Sequence, residues 1–199
     1  MLRGMIFIDH MNFDIALQTY YKRLTKPTPK LDYNKLYKEL VKIIPGVDFL
    51  KAFIFIPKPD DFLKQDPRLD NYYNWVIGMR NAPFTDIIEG SYVARPVDDK
   101  KAMDIKDKTS YYKIEKGTDI NLAVHAINKA FYNSYDIGFF LSADTDYLTV
   151  YSVLKSIGKL SVVTAVNGQN IHKIKPHVDD AIILDESFFN KCIRQTDRT

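Results

Sequence analysis

Residues 2–12 read LRGMIFIDHMN, a mostly apolar run that stops at a polar cluster beginning with Asp9. A short apolar run bounded by polar residues predicts a buried strand over residues 2–8. Apolar residues then recur at helical spacing over residues 13–24, which predicts a helix that ends at the Lys-Pro-Thr-Pro stretch. A strand followed directly by a helix is the unit from which α/β proteins are built.

The same alternation continues along the chain. Further strands are predicted at 49–56, 84–95, 111–115, 136–141, 160–166 and 181–184, with helices at about 32–45, 68–81, 119–132, 147–156 and near the C-terminus. This order predicts a mostly parallel sheet with helices on both faces. We expect residues 1–199 to form a single domain, with a charged and irregular insertion at about 96–113.

Length and composition narrow the class of protein. The 199 residues fit one domain, and 46% hydrophobic with 27% charged residues is ordinary for a soluble globular fold. A single cysteine, Cys192, excludes an internal disulfide framework and a Cys-rich zinc site. The net charge of +3 excludes a strongly basic nucleic-acid coat. Because the first apolar run is too short for a signal peptide or a membrane span, we expect a cytoplasmic protein without a membrane partner.

Acidic residues follow or open three of the predicted elements. Asp9 follows the first strand, Asp144 and Asp146 follow the strand that ends at Leu141, and Asp119 opens a helix. The carboxyl ends of parallel strands share the edge at which open α/β sheets hold ligands. Carboxylates that gather there repel one another unless a cation neutralises them. Oxygen ligands in this number suit one or two Mg²⁺ or Mn²⁺ ions, which activate water and offset the charge of a phosphodiester.

Helix capping is the alternative explanation for each of these acids. Asp9, the pair Thr118 and Asp119, and the segment 142–146 can each stabilise the start of the helix that follows. The segment 142–146 indicates more than a cap, because it carries a second acid two residues after the first. Acids at three places along one edge together favour a cation site.

Four segments, in order along the chain, resemble the NYN domain family. FIDHMN at 7–12 resembles the family's FIDGxN opening, and EKGTDINLAVH at 115–125 resembles its KGxDxxLAxD segment. FLSADTDY at 140–147 resembles SGDxDF, and DDAIIL at 179–184 is similar to the closing ADxFIxL strand. The resemblance spans nearly the whole chain. It implies a PIN-like, three-layer α/β/α fold of Rossmann-like character and, for many members, metal-dependent ribonuclease activity.

The resemblance also implies roles for residues of the matched motifs. Asp146 would be a further metal ligand or would hold a water on the metal. Asn12 would position Asp9 or the scissile phosphate, and Ser142 would orient the acids by hydrogen bonds. The catalytic and metal-binding carboxylates would be those of Asp9, Asp119, Asp144 and Asp146.

Two histidines depart from the family pattern. His10 stands where glycine is common, which places a bulky side chain beside the cleft. His125 stands where a second aspartate is common. His125 follows Asp119 by six residues, which places it about 120° around the helix and roughly 9 Å along the helix axis from Asp119. We therefore expect a partly buried helix histidine rather than a ligand of the same ion.

Two further features bear on substrate binding. Tyr72, Tyr73 and Trp75 share one predicted helix, and we expect them to pack in the core or at an interface, with stacking of unpaired bases as the alternative. Lys116 is predicted to bind the substrate and to stabilise the leaving oxygen. A basic rim beside the acids would attract a phosphate backbone, and a solvated loop interleaved with acids is the alternative. The lysines of this rim are Lys100, Lys101, Lys106, Lys108, Lys113 and Lys116.

These observations predict an Mg²⁺- or Mn²⁺-dependent nuclease that hydrolyses phosphodiester bonds of single-stranded RNA. One alternative is a non-catalytic RNA-binding or regulatory module that keeps the PIN-like fold. Another is an interaction protein, or a homo-oligomer, whose exposed aromatic side chains form the contact surface. Catalysis by Cys192 and ligation by His172 or His177 are not favoured, and the sequence has no Gly-rich phosphate loop.

Overall fold

The computed structural model describes residues 1–194, which contain seven strands and six α-helices. The strands are β1 (Leu2–Asp9), β2 (Val47–Pro59), β3 (Thr85–Pro96), β4 (Tyr111–Lys116), β5 (Ile137–Leu141), β6 (Leu160–Val166) and β7 (Asp180–Leu184). The helices are α1 (His10–Arg23), α2 (Tyr33–Val41), α3 (Pro67–Gly78), α4 (Thr118–Phe131), α5 (Leu148–Ser156) and α6 (Glu186–Lys191). Short 3-10 helices lie at Leu63–Gln65, Met79–Asn81, Thr145–Tyr147 and Lys175–His177.

The seven strands form one sheet in the order β4-β3-β2-β1-β5-β6-β7. Every neighbouring pair is parallel except β3 and β4, so the prediction of a mostly parallel sheet is confirmed and the sheet is mixed. Starting from the central strand β1, the chain adds β2, β3 and β4 in turn on one side. It then crosses β1 and adds β5, β6 and β7 in turn on the other side. The strand order therefore reverses between β1 and β5, which is where α/β sheets open a crevice for ligands.

Alternate residues of the central strands belong to two hydrophobic clusters, because successive side chains of a strand point to opposite faces. Ile6 and Ile8 pack with residues of α1, α2, α3 and α6. Met5 and Phe7 pack with residues of α4 and α5. Helices therefore contact the sheet from both faces, as the sequence predicts, and the loops at the strand ends are left to carry polar side chains.

The structure extends β2 through two prolines that the sequence predicted would end it. Pro57 and Pro59 pair in register with β3, while the register of β1 with β2 ends at Phe55. The backbone N–H of Ala52 donates to Phe84 of the chain just before β3, so N–H groups of even-numbered residues point towards β3. The missing N–H groups of the two prolines therefore face the side that β1 no longer covers, where proline is tolerated.

The predicted insertion is a connection of turns between β3 and β4. The Ser110 hydroxyl accepts from the Asp104 N–H at 2.9 Å, and the Asp98 carboxylate accepts from the Lys100 N–H at 3.0 Å. Met103 and Ile105 pack against a small third cluster that includes Leu63, Ala94 and Tyr111. The connection is thus attached to the end of the sheet next to α3.

Among residues 1–194, no helix combines the length and the apolar character needed to span a bilayer.

Candidate functional site

Asp9 lies at the carboxyl end of the central strand β1, where α1 begins. Its Oδ1 accepts from the backbone N–H of Asn12 at 3.2 Å, so the capping interpretation of this residue is confirmed. Its Oδ2 faces the hydroxyls of Ser142 and Tyr147, at 3.4 Å and 3.3 Å. Asp9 is only 6% exposed. The carboxylate therefore caps a helix and at the same time faces the chain that follows β5.

Tyr147 brings Asp119 of α4 next to Asp9 of β1. The tyrosine hydroxyl donates to Asp119 Oδ1 at 2.7 Å, and it lies 3.3 Å from Asp9 Oδ2. A hydroxyl carries one hydrogen, and the shorter contact takes it. Two of the predicted site acids thus meet around one buried hydroxyl, although 110 residues separate them in the sequence.

Asp144 joins the same hydrogen-bonded group through Ser142. The backbone N–H of Asp144 donates to Ser142 Oγ at 3.2 Å, and Ser142 in turn contacts Asp9. The Asp144 carboxylate accepts from the N–H of Asp146 at 2.9 Å and so caps the 3-10 turn Thr145–Tyr147. Asp146 itself is exposed, and its role as a ligand stays a prediction.

Asn12 holds the loops around the acids together. Its side-chain carbonyl accepts from the N–H of Ala143 at 3.3 Å and from the side-chain amide of Gln169 at 2.9 Å. The carbonyl of Gln169 accepts from the N–H of Val166 at 2.9 Å. The amide of Asn12 therefore fixes the start of α1 against the ends of β5 and β6, and a role on the substrate stays a prediction.

Burial and neighbouring acids raise the pKa of two carboxyl groups at the site. Burial raises the pKa of Asp9 to about 7, helped by the charges of Asp119 and Glu115, and the hydrogen bond from Asn12 opposes this shift. Partial burial and the charge of Asp119 also raise the pKa of Glu115. Among residues 1–194, no Lys or Arg lies within 4.0 Å of any acid of this group.

The basic rim is reduced by pairing within the insertion. Lys108 contacts the carboxylate of Asp66 at 3.1 Å and donates to the Tyr111 hydroxyl at 2.8 Å. Lys101 lies 3.8 Å from Asp98. Lys113 and Lys116 are exposed on the edge strand β4, which leads into α4. These contacts engage Lys101 and Lys108 with carboxylates outside the acidic site. Lys113 and Lys116 remain exposed, next to the site acids in sequence.

The donor set has the chemistry of a hard divalent cation site, because it consists of carboxylate oxygens without a compensating charge. In this arrangement, however, no group of three or more His, Cys, Asp or Glu side chains within residues 1–194 converges closely enough to hold a metal ion. The Tyr147 hydroxyl lies between Asp9 and Asp119. The acids lie near one edge of the sheet, and their side chains would have to rearrange to share one ion.

Two glycines allow the turn between β4 and α4 that places Asp119. Gly117 has φ +83°, a left-handed conformation that favours glycine, and it precedes the first helical residue, Thr118. A Cβ at Gly90 would lie 2.4 Å from Thr118 Oγ1 and 2.8 Å from the carbonyl oxygen of Lys116. Thr118 is therefore not the N-cap, because Gly117 takes that position without a side-chain cap, whereas Asp119 lies in the first turn of α4, as the capping alternative expects of an acid.

The two histidines that depart from the family pattern lie away from the acids. His10 is fully buried between Tyr72 and Tyr33, whose hydroxyls lie 2.6 Å from Nδ1 and Nε2, so the expectation that it crowds the cleft is wrong. As the first residue of α1, its side chain turns towards α2 and α3. His125 packs on Phe55 and its Nδ1 lies 2.8 Å from the backbone oxygen of Asn121, as expected for a partly buried helix histidine.

Sequence reasoning missed three residues of this site: Tyr147, Glu115 and Gln169. Tyr147 closes the FLSADTDY motif at the position where the family pattern has phenylalanine, and that difference is the signal that could have pointed to its hydroxyl. Glu115 opens the EKGTD motif. Gln169 lies in a Gly-containing turn after β6, and no local pattern distinguishes it from an ordinary loop residue.

The fold and the site together define an α/β protein in which acidic residues lie near the reversal of the strand order. The NYN domain family model matches residues 3–185, nearly the whole chain, and the chain belongs to this family. Membership supports a nuclease-like fold and hydrolytic chemistry. None of the curated proteins matches the chain.

A solved structure supports the fold. The crystal structure of a protein of unknown function from Vibrio parahaemolyticus superposes with a TM-score of 0.56 at 14% identity, and the match covers 97% of this chain and 96% of that one.

Proposed function

We propose that this protein is an Mg²⁺- or Mn²⁺-dependent ribonuclease that hydrolyses phosphodiester bonds of single-stranded RNA, on a three-layer PIN-like scaffold. One observation carries the proposal. Asp9, Asp119 and Asp144 come from three separate elements, Tyr147 and Ser142 link them by hydrogen bonds near the strand-order reversal, and none of the three has a Lys or Arg within 4.0 Å among residues 1–194. Family membership and the two hydrophobic clusters on opposite faces of the sheet support the same proposal.

The proposed mechanism assigns a task to each side chain of the site. Asp9, Asp119 and Asp144 would hold the divalent cation, with Asp146 as a further ligand. When bound, the cation supplies a Lewis acid that offsets phosphate charge and lowers the pKa of a water molecule. Ser142 fixes the Asp9 carboxylate relative to Asp144, as its hydrogen bonds indicate.

Positive charge for the substrate would come from β4. Lys116 ends that strand just before the turn into α4 and is exposed, so its ammonium would stabilise the oxygen that leaves when the P–O bond breaks. Lys113, also exposed, would contact a neighbouring phosphate of the strand. The water that attacks the phosphorus loses its proton to solvent or to a carboxylate of the site, and the leaving oxygen gains one.

The function is tested by cleavage of an unstructured RNA by the wild-type protein and by Asp144→Asn, each with Mg²⁺, Mn²⁺ or a chelator. We expect the wild type to cleave only with a metal and Asp144→Asn to lose at least about 100-fold in rate with an unchanged circular dichroism spectrum. Asp48→Asn is the matched control, since Asp48 is exposed near the opposite end of the neighbouring strand β2.

Other outcomes of this assay would support the alternatives. RNA that is bound and left intact with every metal would contradict the nuclease and support a non-catalytic RNA-binding module. Indifference to RNA, with a concentration-dependent dimer in sedimentation velocity, would support an interaction protein or homo-oligomer. The surface for such self-association would be α4, where Ile120, Val124 and Phe131 form an exposed apolar stripe.

A further inference from the structure

A cavity of about 380 Å³ lies between α1, the connection from α1 to α2, and α3. Its apolar wall includes Leu17, Tyr33 and Trp75, and its polar groups include those of Asp14, Lys30 and Arg194. The volume lies within the range of pockets that hold small organic ligands. A mostly apolar wall with a few polar groups is also the composition that such ligands require.

Trp75 gives the cavity a supported aromatic surface. Its ring system meets His10 edge to face at a centroid distance of 5.4 Å, and it is tilted against Tyr72 at 6.0 Å. The hydroxyls of Tyr72 and Tyr33 are in turn held by the buried His10 ring. Trp75 nevertheless remains 48% exposed. A tryptophan that neighbouring rings hold in place and that is still half-exposed is suited to stack a planar base.

The cavity carries charged groups of both signs, as a site for a nucleotide would need. Asp14 is half-buried on α1, and its Oδ2 accepts from the side-chain amide of Gln18 at 2.6 Å. A carboxylate pairs best with two adjacent N–H donors, and guanine is the nucleobase that offers them, through N1 and its exocyclic amino group. Lys30 and Arg194 supply positive charge for a phosphate.

The cavity lies against α1, the helix that begins directly after Asp9. Asp14 also lines a second cavity of about 340 Å³, together with Met11, Tyr72 and Lys113. Met11 is two residues beyond Asp9, and Asp14 lies about 7.5 Å along the helix from Asp9 by the helical rise. A single strand that binds at Trp75 and also reaches the carboxylates would follow α1.

We propose that this cavity binds an unpaired guanine of the RNA substrate, stacked on Trp75 and paired with the Asp14 carboxylate, and that it sets the sequence preference beside the cleavage point. The proposal rests on the proposed ribonuclease function. It makes Asp14 and Trp75 specificity-determining residues rather than catalytic ones, because neither contacts the acids that would hold the metal.

The chain itself supplies the reporter for the test. Trp75 is the only tryptophan in the sequence, so intrinsic tryptophan fluorescence reports on this cavity alone. Guanosine, adenosine, cytidine and uridine monophosphates are titrated into the Asp144→Asn protein in the presence of a chelator, with N-acetyltryptophanamide correcting for absorption. We expect saturable quenching by the guanosine nucleotide, with an affinity about tenfold or more above that for the cytidine nucleotide.

Asp14→Asn is the decisive variant, because it keeps the shape of the side chain and removes the charge. We expect it to retain quenching but to lose the preference for guanosine, whereas Asp48→Asn keeps the preference. Equal affinity for all four nucleotides, or a preference that survives in Asp14→Asn, would overturn the proposal.

The titration needs neither a metal nor cleavage, so the two proposals fail separately. Metal-dependent cleavage by the wild type without guanosine-specific quenching would overturn the guanine site and leave the nuclease standing. Guanosine-specific quenching in a wild-type protein that never cleaves would overturn the nuclease and support a guanine-binding site on its own.

Discussion

The hydroxyl of Tyr147 lies between two acids of the site. The family pattern has phenylalanine at this position, and the extra hydroxyl of this chain donates to Asp119 while lying against Asp9. It therefore holds together two acids whose charges oppose their approach. A bound cation would do the same, so the hydroxyl and the cation would compete for the same carboxylate oxygens.

Tyr147→Phe tests this competition. We expect the variant to bind Mn²⁺ more tightly than the wild type and to keep its cleavage activity, because Asp119 is released while the ring still fills the core. Loss of one buried hydrogen bond would lower the free energy of unfolding by about 1 kcal/mol in the absence of metal. Calorimetric titration with Mn²⁺ and urea denaturation measure the two effects. Weaker Mn²⁺ binding in a folded variant would show that the hydroxyl belongs to the cation site.

The positions of some site residues could be predicted from the sequence, and those of others could not. Asp9 and Asp144 could be placed at one edge because each follows an apolar run, and the ends of parallel strands coincide. The hydroxyl of Tyr147 could not be placed, since its partners lie on β1 and α4 and no local pattern encodes a contact between elements. His10 was misplaced for a similar reason, because the direction of its side chain depends on where α2 and α3 pack.

At the scale of elements, most strands and helices follow from the spacing of apolar residues. The exceptions have local physical causes. β2 continues through Pro57 and Pro59 because β1 has already ended beside it, so no backbone hydrogen bond is lost on that side. The start of α4 depends on backbone conformation at Gly117 rather than on a capping side chain. Neither cause is visible without knowing which elements are neighbours.

Gly90→Ala tests how strictly the β4–α4 turn positions Asp119. The added methyl would meet Thr118 and the backbone of Lys116, so the turn must shift. We expect destabilisation by about 1–3 kcal/mol from overpacking and a clear loss of Mn²⁺-dependent cleavage. Both are measured on purified protein, by urea denaturation and by the RNA assay.

Gly78→Ala is the control for this variant. Gly78 ends α3, and a Cβ added there would have no neighbouring atom within 4 Å. Alanine at this position should therefore leave activity unchanged and raise stability slightly. Full activity in Gly90→Ala would contradict the importance of the turn.

The two ends of the neighbouring strands β1 and β5 differ in how their charges are paired. Uncompensated acids lie at the carboxyl ends of the strands, whereas the opposite edge carries a paired charge. There the Arg3 guanidinium contacts Asp136 at 2.8 Å and 3.0 Å, and the backbone N–H of Arg3 adds a third hydrogen bond. These bonds join the starts of β1 and β5, the two strands whose other ends form the site. The small net charge of +3 conceals this difference.

The pair at the opposite edge predicts a pH dependence of stability. Hydrogen bonds from Arg3 hold the pKa of Asp136 well below its usual range. Because the folded-state pKa is depressed, the pair stabilises the fold above the unfolded value of about 3.9, and this contribution is lost as the pH falls further. Asp136→Asn should therefore be less stable than the wild type at pH 7, with the difference shrinking below about pH 4. Urea midpoints across pH measure it, and a constant difference at all pH values would contradict the assignment.

The proposed function depends above all on whether acids from β1, α4 and the β5–α5 connection bind one divalent cation together. Calorimetric titration of Mn²⁺ into the wild type, Asp119→Asn and Asp48→Asn answers this question. Asp119 is the acid to replace, because it lies at the start of α4, whereas the other acids follow strands. We expect saturable binding in the wild type and in Asp48→Asn, and affinity weakened by about tenfold or more in folded Asp119→Asn. No saturable binding in the wild type, or equal affinity in Asp119→Asn, would rule out a shared cation site.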